Sequence, residues 1–435
     1  VDVAVVGGGV VGLACAEAAA ASGRSVVVLE KEACVAAGVS SGNSGIGCTG
    51  YDAPPGSLER ALLRRSVTLH PNLYRSFGLS YAHVRKSGSL VVAWSPADVD
   101  GLQAVVEENH AANDTEAEVV SVDDLRAMEP GLAPGARGAV FVPREVVAEP
   151  WLVPIGYAAS ALAHGARIET GSRVVSATTL PSGLWALGVQ GRPNVEARVV
   201  VNCSGLFGDD TEALRGGAVP FTIRPKKGQF IVLKLPPGVE PPAHVLQPVP
   251  TLETKGVHVF TTVWGDVVVG PTATPVTCRR NRATDEATEA ELRAYGERVY
   301  PALKDAIVVG TYSGIRPGTD SRDYVIQGHG DGWVTVAGIR STGLTAAAGI
   351  GEYVNELVGA ELGDGAAPSR PAASAVAPPY TPAPLHPPRK ALPMVPALAD
   401  LAAAFRPHDG TVEVYGRRWT VTHPITKFGM GGVQK

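Results

Sequence analysis

Paired cysteines are missing from this sequence. The five present, Cys15, Cys34, Cys48, Cys203 and Cys278, are odd in number, far apart and never in C-x-x-C spacing. That excludes a disulfide framework and a thiolate zinc site, and it fits a reducing compartment. The ten histidines form no H-x-x-x-H cluster, so no metal is expected. Charge is sparse: 18% of residues carry one, and the net is −4. No basic excess draws nucleic acid or an anionic membrane, and Lys226–Lys227 reads as solvated surface. No apolar run spans a bilayer. Residues 3–22 come nearest, but they hold four glycines and Glu17.

What is there is a globular composition, 45% hydrophobic over 435 residues, enough for two domains and a sizeable core. The chain opens at Val1, directly on a strand and without methionine, so a trimmed N-terminus is expected. The expected compartment is intracellular and reducing, with mitochondrion and cytoplasm both open.

The stretch "VDVAVVGGGVVGLACAEAAAASGRSVVVLEKE" reads as strand, tight turn, helix and strand. Val3–Val6 is a buried β-branched run, Leu13–Ala21 an alanine-rich helix ended by Gly23, and Val26–Leu29 a second parallel strand. Gly7, Gly9 and Gly12 form G-x-G-x-x-G. The first frees the turn, the second admits a pyrophosphate to the backbone, and the third lets helix and strand pack closely. The helix N-terminus offers free N–H groups to phosphate. Glu30 closes the second strand, where a carboxylate would accept hydrogen bonds from ribose hydroxyls. The motif predicts an adenosine diphosphate cofactor, with NAD and FAD both open at this point.

Residues 40–55, including "SSGNSGIGCTG", form a loop inside the first domain without apolar periodicity, as functional loops do. A helix is expected over Leu58–Gly78. Further on, a buried strand Val199–Val201 runs into Cys203, Ser204 and Gly205. Residues 332–362 read as strand, glycine turn and long helix, Thr345–Leu357, with Gly338 and Gly343 freeing the turn. This is a second helix N-terminus aimed at something electron-rich.

These segments together resemble the FAD-dependent oxidoreductases of the D-amino-acid oxidase superfamily. Within them the chain is similar to the glycerol-3-phosphate oxidase/dehydrogenase and L-2-hydroxyglutarate dehydrogenase branch. The likeness spans roughly residues 1–362. It is carried by "VVGGGVVG", "VVVLEK", "SSGNSGI", "APPGSL", "RKSGSLVVA", "KKGQFIVL", "KGVHVF…GDVVVGPTA", "SGIRPGTDSRDYVI" and "AGIRSTGLTAAAGI". It implies an α/β fold (α+β overall). A Rossmann-like FAD-binding domain is built from 1–82, 143–215 and 311–363. A smaller antiparallel-sheet substrate domain takes 83–142 and 216–310.

The resemblance also implies which residues hold FAD. Gly7, Gly9, Gly12, Glu30 and Lys31 serve the adenosine side, with the Val174–Val175 backbone beside the adenine. Ser41, Asn43, Ser44 and Gly45 wrap the pyrophosphate and the ring edge. Ser204 and Gly205 follow the buried strand. Gly338 and the turn Ser341, Thr342, Gly343, Leu344 and Thr345 hold the pyrimidine end, where donors and a helix dipole tune the flavin.

Four residues are candidates for substrate chemistry. By resemblance, Arg316 is the arginine that grips the substrate anion, a task suited to a planar guanidinium; an ion pair with Asp320 or Asp323 is the competing reading. Lys255 matches a lysine of the glycerol 3-phosphate enzymes, against a solvated loop tip. His258 alternates with Val257 and Val259, so it faces away from both; it is a candidate general base or a structural histidine. Cys48 stands in "GIGCTGYD" where the family pattern is closer to "GVIHAGID". A thiol cannot replace that histidine at neutral pH unless its pKa is lowered. Thr342, replacing a proline, is a milder departure.

The tail lies outside the resemblance. Residues 364–395 read as a proline-rich linker. Residues 396–435 read as a short helix, "ALADLAAAF", and a hairpin turning at Gly416 and Arg417, packed on the main body or on a partner protein. The expected activity is hydride transfer to flavin from a small anionic secondary alcohol, glycerol 3-phosphate before a 2-hydroxy acid. The alternative is a catalytically impaired flavoprotein serving in a larger assembly. The electron acceptor stays open.

Overall fold

The computed structural model describes residues 1–112, 114–251, 255–369 and 382–431. Part of the expected linker, 370–381, lies outside the described residues. Six strands form a central sheet in the order Val325–Gly328, Trp333–Ala337, Val199–Asn202, Val3–Val6, Val26–Leu29 and Arg167–Glu169. Neighbours are parallel except the first pair. Burial on both faces explains the unbroken β-branched runs. Val3, Val5, Val26 and Val28 meet a helical layer, while Ala4, Val6, Val27 and Leu29 meet Trp185, Leu187 and Val189 of a three-stranded meander.

The helical layer contains α1 (Val10–Ala21), α2 (Leu58–Ser76), α3 (Leu152–Ala163) and α4 (Gly343–Leu362). Small residues let these helices touch backbone to backbone. A Cβ at Gly351 of α4 would sit 2.8 Å from the Ala14 carbonyl oxygen of α1. One at Gly349 would sit 2.5 Å from that of Leu62 in α2. Helix α1 begins three residues earlier than expected, because the Leu13 N–H already donates to the Gly9 carbonyl at 2.9 Å, and the free Val10 N–H is met by Ser40 Oγ at 2.9 Å. Helix α4 outruns expectation and stops at Gly363, whose φ of +83° makes a left-handed cap.

A nine-stranded sheet caps the cavity. Its spine is the long antiparallel pair Ile223–Lys234 and Ile307–Thr319, hydrogen-bonded end to end. The expected domain boundary at 311 falls inside this pair, so residues 311–319 belong to the capping sheet: a strand follows its ladder. One neighbouring pair, Val245–Pro248 with Ser89–Val92, is parallel; the rest are antiparallel.

The tail packs on the chain's own body. Its described linker residues form a strap, with Ala383, Leu392 and Val395 N–H donating to the carbonyls of Thr68, Ser76 and Gly78. Arg389 pairs with buried Glu17. The hairpin Thr411–Val414 and Arg417–Thr420 turns at Tyr415 and Gly416, φ +56° and +67°. This corrects the expected turn: Arg417 already pairs with Val414. The Tyr415 hydroxyl donates to the Phe77 carbonyl at 2.6 Å, and Trp151 Nε1 donates to that of Thr420 at 3.0 Å. Among the described residues, no helix is long and apolar enough to cross a membrane.

Overfilling the α1–α4 crossing tests this packing. Gly351→Val is expected to cost about 1–3 kcal/mol, read as a lower urea midpoint with an unchanged slope.

Candidate functional site

A cavity of about 1420 Å³ runs between the six-stranded sheet and the capping sheet. That exceeds the roughly 300–1,000 Å³ of common small-molecule sites. Its first wall is the glycine turn. Gly7 has φ +111°, and a Cβ there would lie 2.5 Å from the Cys203 carbonyl oxygen. A Cβ at Gly12 would lie 2.0 Å from the Gly7 carbonyl oxygen. The first turn of α1 is therefore drawn against the strand ends. Glu30 is oriented by two backbone donors, Gly8 N–H at 2.7 Å on Oε2 and Glu32 N–H at 2.8 Å on Oε1. Burial nevertheless pushes its carboxyl above the ordinary range.

The second wall is the loop before α2. Arg282, from the capping domain, donates to the Ala37 carbonyl at 3.1 Å, the Ser41 hydroxyl at 2.9 Å and the Ser41 carbonyl at 3.1 Å. With the loop's outer carbonyls and hydroxyl tied down, Gly38, Ser40, Gly42, Asn43 and Ser44 line the cavity. The start of α4 forms the third wall. Thr342 Oγ1 donates to Glu59 Oε1 at 2.7 Å and meets the Tyr324 hydroxyl at 2.6 Å. Arg340 pairs with Glu59 at 2.6 Å.

The capping side carries the charges. Arg316 Nη1 donates to the Thr272 carbonyl at 3.0 Å, and its guanidinium lies over Gly228, where a Cβ would come within 2.6 Å of Nη2. Its expected competitors are engaged elsewhere. Asp320 pairs with Arg224 at 2.7 Å, and Asp323 accepts from the Leu58 and Glu59 N–H groups of α2, each at 2.9 Å. Among the described residues no carboxylate pairs with Arg316. Burial lowers its pKa to about 10, so it stays protonated at neutral pH.

Lys255 is not free: its ammonium meets Asp52 Oδ2 at 2.6 Å. Burial pulls its pKa down, yet the Asp52 carboxylate outweighs that and holds it above the ordinary value. Asp52 Oδ1 is buried and, among the described residues, has no hydrogen-bond partner. His258 and Val257 line the cavity, while Val259 and Phe260 fall in separate core clusters. Both ring nitrogens of His258 are shielded from solvent, and among the described residues neither has a hydrogen-bond partner. Burial first, then the Lys255 charge, lowers its pKa to about 4, so the ring is neutral. Cys48 hydrogen-bonds through its N–H to Thr345 Oγ1 at 3.3 Å. Burial pushes its thiol up to about 12, which removes the thiolate from consideration at neutral pH.

Most expected residues meet in this one cavity: Gly7, Gly9, Gly12, Glu30 and Lys31; Asn43 and Ser44; Val175, Ser204 and Gly205; Ser341, Thr342, Gly343 and Leu344; and Cys48, Lys255, His258 and Arg316. Four stand behind its wall. Ser41 Oγ turns back to the Ala37 and Gly38 carbonyls. Gly45 abuts the Ala148 carbonyl, 2.6 Å from where its Cβ would be. Gly338 serves its turn with φ +73°. Thr345 is buried between Cys48 and His70. Sequence reasoning missed Asp52, Glu59, Glu145 and Arg340 on the lining. Asp52 lay in the quoted "GCTGYD" and Arg340 in the quoted "AGIRSTGLTAAAGI"; Glu59 and Glu145 carried no local signal.

Residues 2–357 match the family described as FAD dependent oxidoreductase. The chain belongs to this family. FAD is accordingly its cofactor, and the methyl-excluding glycine cradle, the anchored Glu30 and the length of the cavity fit it. Glycerol 3-phosphate dehydrogenase of Caloramator mitchellensis is 27% identical over 359 residues, 82% of this chain and 73% of that one. Human mitochondrial L-2-hydroxyglutarate dehydrogenase is 28% identical over 288 residues, 62% of this chain and 60% of that one. The FAD-bound, dithionite-reduced L-α-glycerophosphate oxidase from Mycoplasma pneumoniae shares the fold, with a TM-score of 0.76, 24% identity and coverage of 82% of this chain and 94% of that one.

A side chain at the tightest point of the cradle should empty this flavoprotein. Gly12→Val is expected to purify colourless with its far-UV circular dichroism retained, checked by visible absorbance against protein concentration.

Proposed function

We propose that this FAD-dependent oxidoreductase oxidises the secondary alcohol of a small anionic substrate, with glycerol 3-phosphate favoured. The observation that carries the reading is the pairing of two groups on one cavity wall. Among the described residues, Arg316 is a cation without a carboxylate partner, and His258 is a neutral imidazole without a hydrogen-bond partner. The first suits a phosphate; the second suits a hydroxyl proton. The names of the relatives agree with an alcohol as substrate.

In this reading Arg316 is the main anion clamp, its plane set by the Thr272 carbonyl. Lys255 contributes less than the sequence suggested, because Asp52 already balances its charge. It orients the substrate by hydrogen bonding. His258 takes the hydroxyl proton, and nearby Asp52 favours the imidazolium that forms. Cys48 keeps its proton and fills space beside Thr345. Bound in this cavity, FAD would supply an acceptor for the hydride, the carbon-bound hydrogen with its electron pair, while the hydroxyl proton goes to His258. A 2-hydroxy acid is the second reading, favoured by the hydroxyglutarate relative. Asp52 and Glu145 on the lining weigh against a substrate with a second carboxylate.

Anaerobic glycerol 3-phosphate is expected to bleach the visible flavin band, and L-2-hydroxyglutarate to do so more slowly. Bleaching by neither would return the chain to the impaired-flavoprotein reading. Arg316→Ala is expected to lower kcat/KM by roughly 10²-fold, the worth of about two charged hydrogen bonds, while the protein stays yellow. His258→Ala is expected to lower kcat by about 10²–10⁴-fold. Because His258 loses its proton at about pH 4, the free enzyme's kcat/KM profile should show no histidine step near the ordinary value of about 6.5.

A further inference from the structure

The family match ends at residue 357, yet the chain beyond it reaches the cofactor loop. Ala36 begins that loop at φ +54°, a left-handed conformation that disfavours a side chain. Its N–H donates to the Gly8 carbonyl of the glycine turn at 2.8 Å. Its own carbonyl accepts the Thr422 hydroxyl at 3.0 Å. Seven residues on, the Asn43 carbonyl accepts from Tyr312 Oη at 3.0 Å and from His423 Nε2 at 3.1 Å. Thus two adjacent residues of the extension hold both ends of the segment whose inner face lines the cavity.

The holding group is itself well fixed. His423 is 0% exposed. Its Nδ1 accepts the Ile425 N–H at 3.3 Å, which leaves the ring proton on Nε2 for Asn43. Burial, with the Arg282 charge adding to it, lowers its pKa to about 3, so the donor tautomer persists at neutral pH. The helix that follows, Pro424–Gly429, is seated in both domains. Phe428 lies over Gly310 of the capping sheet, where a Cβ would meet its ring at 2.4 Å. Thr426 donates to buried Glu149, whose other oxygen accepts the Trp151 and Leu152 N–H groups at the start of α3.

We propose that the C-terminal extension is part of the cofactor-binding apparatus, with Thr422 and His423 as positioning residues that hold the Ala36–Asn43 loop in its FAD-receiving shape. Neither residue lines the cavity; both act through loop carbonyls. The extension is then an internal brace on this loop.

The test uses the full chain, stripped of FAD and titrated back with FAD while flavin fluorescence is followed. His423→Ala is expected to weaken FAD binding by about tenfold, the effect of one buried hydrogen bond. His423→Gln, whose amide can donate to the same carbonyl, is expected to recover most of that loss. Tyr415→Phe removes a tail hydrogen bond made to Phe77 rather than to the loop. It should lower the melting temperature and leave FAD affinity unchanged. A weakening of threefold or more in His423→Ala, absent in Tyr415→Phe, supports the brace. A smaller effect, or an equal one in Tyr415→Phe, overturns it. Should His423→Ala fail to fold, Thr422→Val is judged by the same threshold.

Discussion

A methyl group at Gly12 would lie 2.0 Å from the carbonyl oxygen of Gly7, and the rest of the molecule is arranged around that lack of room. The contact presses the start of α1 onto the strand ends, so the helix presents its N-terminal N–H groups at the mouth of the sheet. Everything nearby must also be small or adaptable. Cys203 from the neighbouring strand closes on Gly7, alanines of α1 admit α4, and Gly351 accepts the Ala14 carbonyl. The loop from Ala36 is drawn to the Gly8 carbonyl, which brings Ser40 to Val10 and sets the second wall. One close backbone approach thus fixes two of the three surfaces that receive the cofactor.

Across the cavity, burial decides the protonation states. Removing a group from water favours its neutral form. Cys48 moves up to about 12, Glu145 up to about 7 and His258 down to about 4. Glu145 keeps part of its anionic character through its hydrogen bonds to Ser89 and the Thr49 N–H. The Lys255–Asp52 pair balances itself. Arg316 is the exception, since even a pKa lowered to about 10 leaves it charged. In the proposed reading, this guanidinium beside a neutral imidazole and a neutral thiol is what favours an anionic substrate.

Side chains tie the capping sheet to the rest of the molecule. Arg282 crosses from the capping side to the loop, Tyr312 reaches Asn43, and the helix Pro424–Gly429 sits between Gly310 and Glu149. These contacts surround one loop. Its shape is set from outside by groups more than 200 residues away in sequence.

The chain's local order was legible because it is written in neighbours. The β-branched runs Val3–Val6 and Val26–Leu29, the G-x-G-x-x-G turn, the stripe of alanines and the alternation around His258 each restrict φ and ψ or one face of one element. Those restrictions need no partner to be read. Arg316 and Lys255 were implied by the family likeness and His258 by its alternation with valines; all three lie on the cavity lining. Only the tertiary structure decided who pairs with whom. Asp320 went to Arg224, Asp323 to the start of α2, and Asp52 to Lys255, because ladder register and chain closure choose among carboxylates that look equivalent in sequence. It also turned a linker and hairpin into a brace on the cofactor loop. A hydrogen bond such as His423 to Asn43 joins residues 380 apart, and it exists only after packing has brought their elements together.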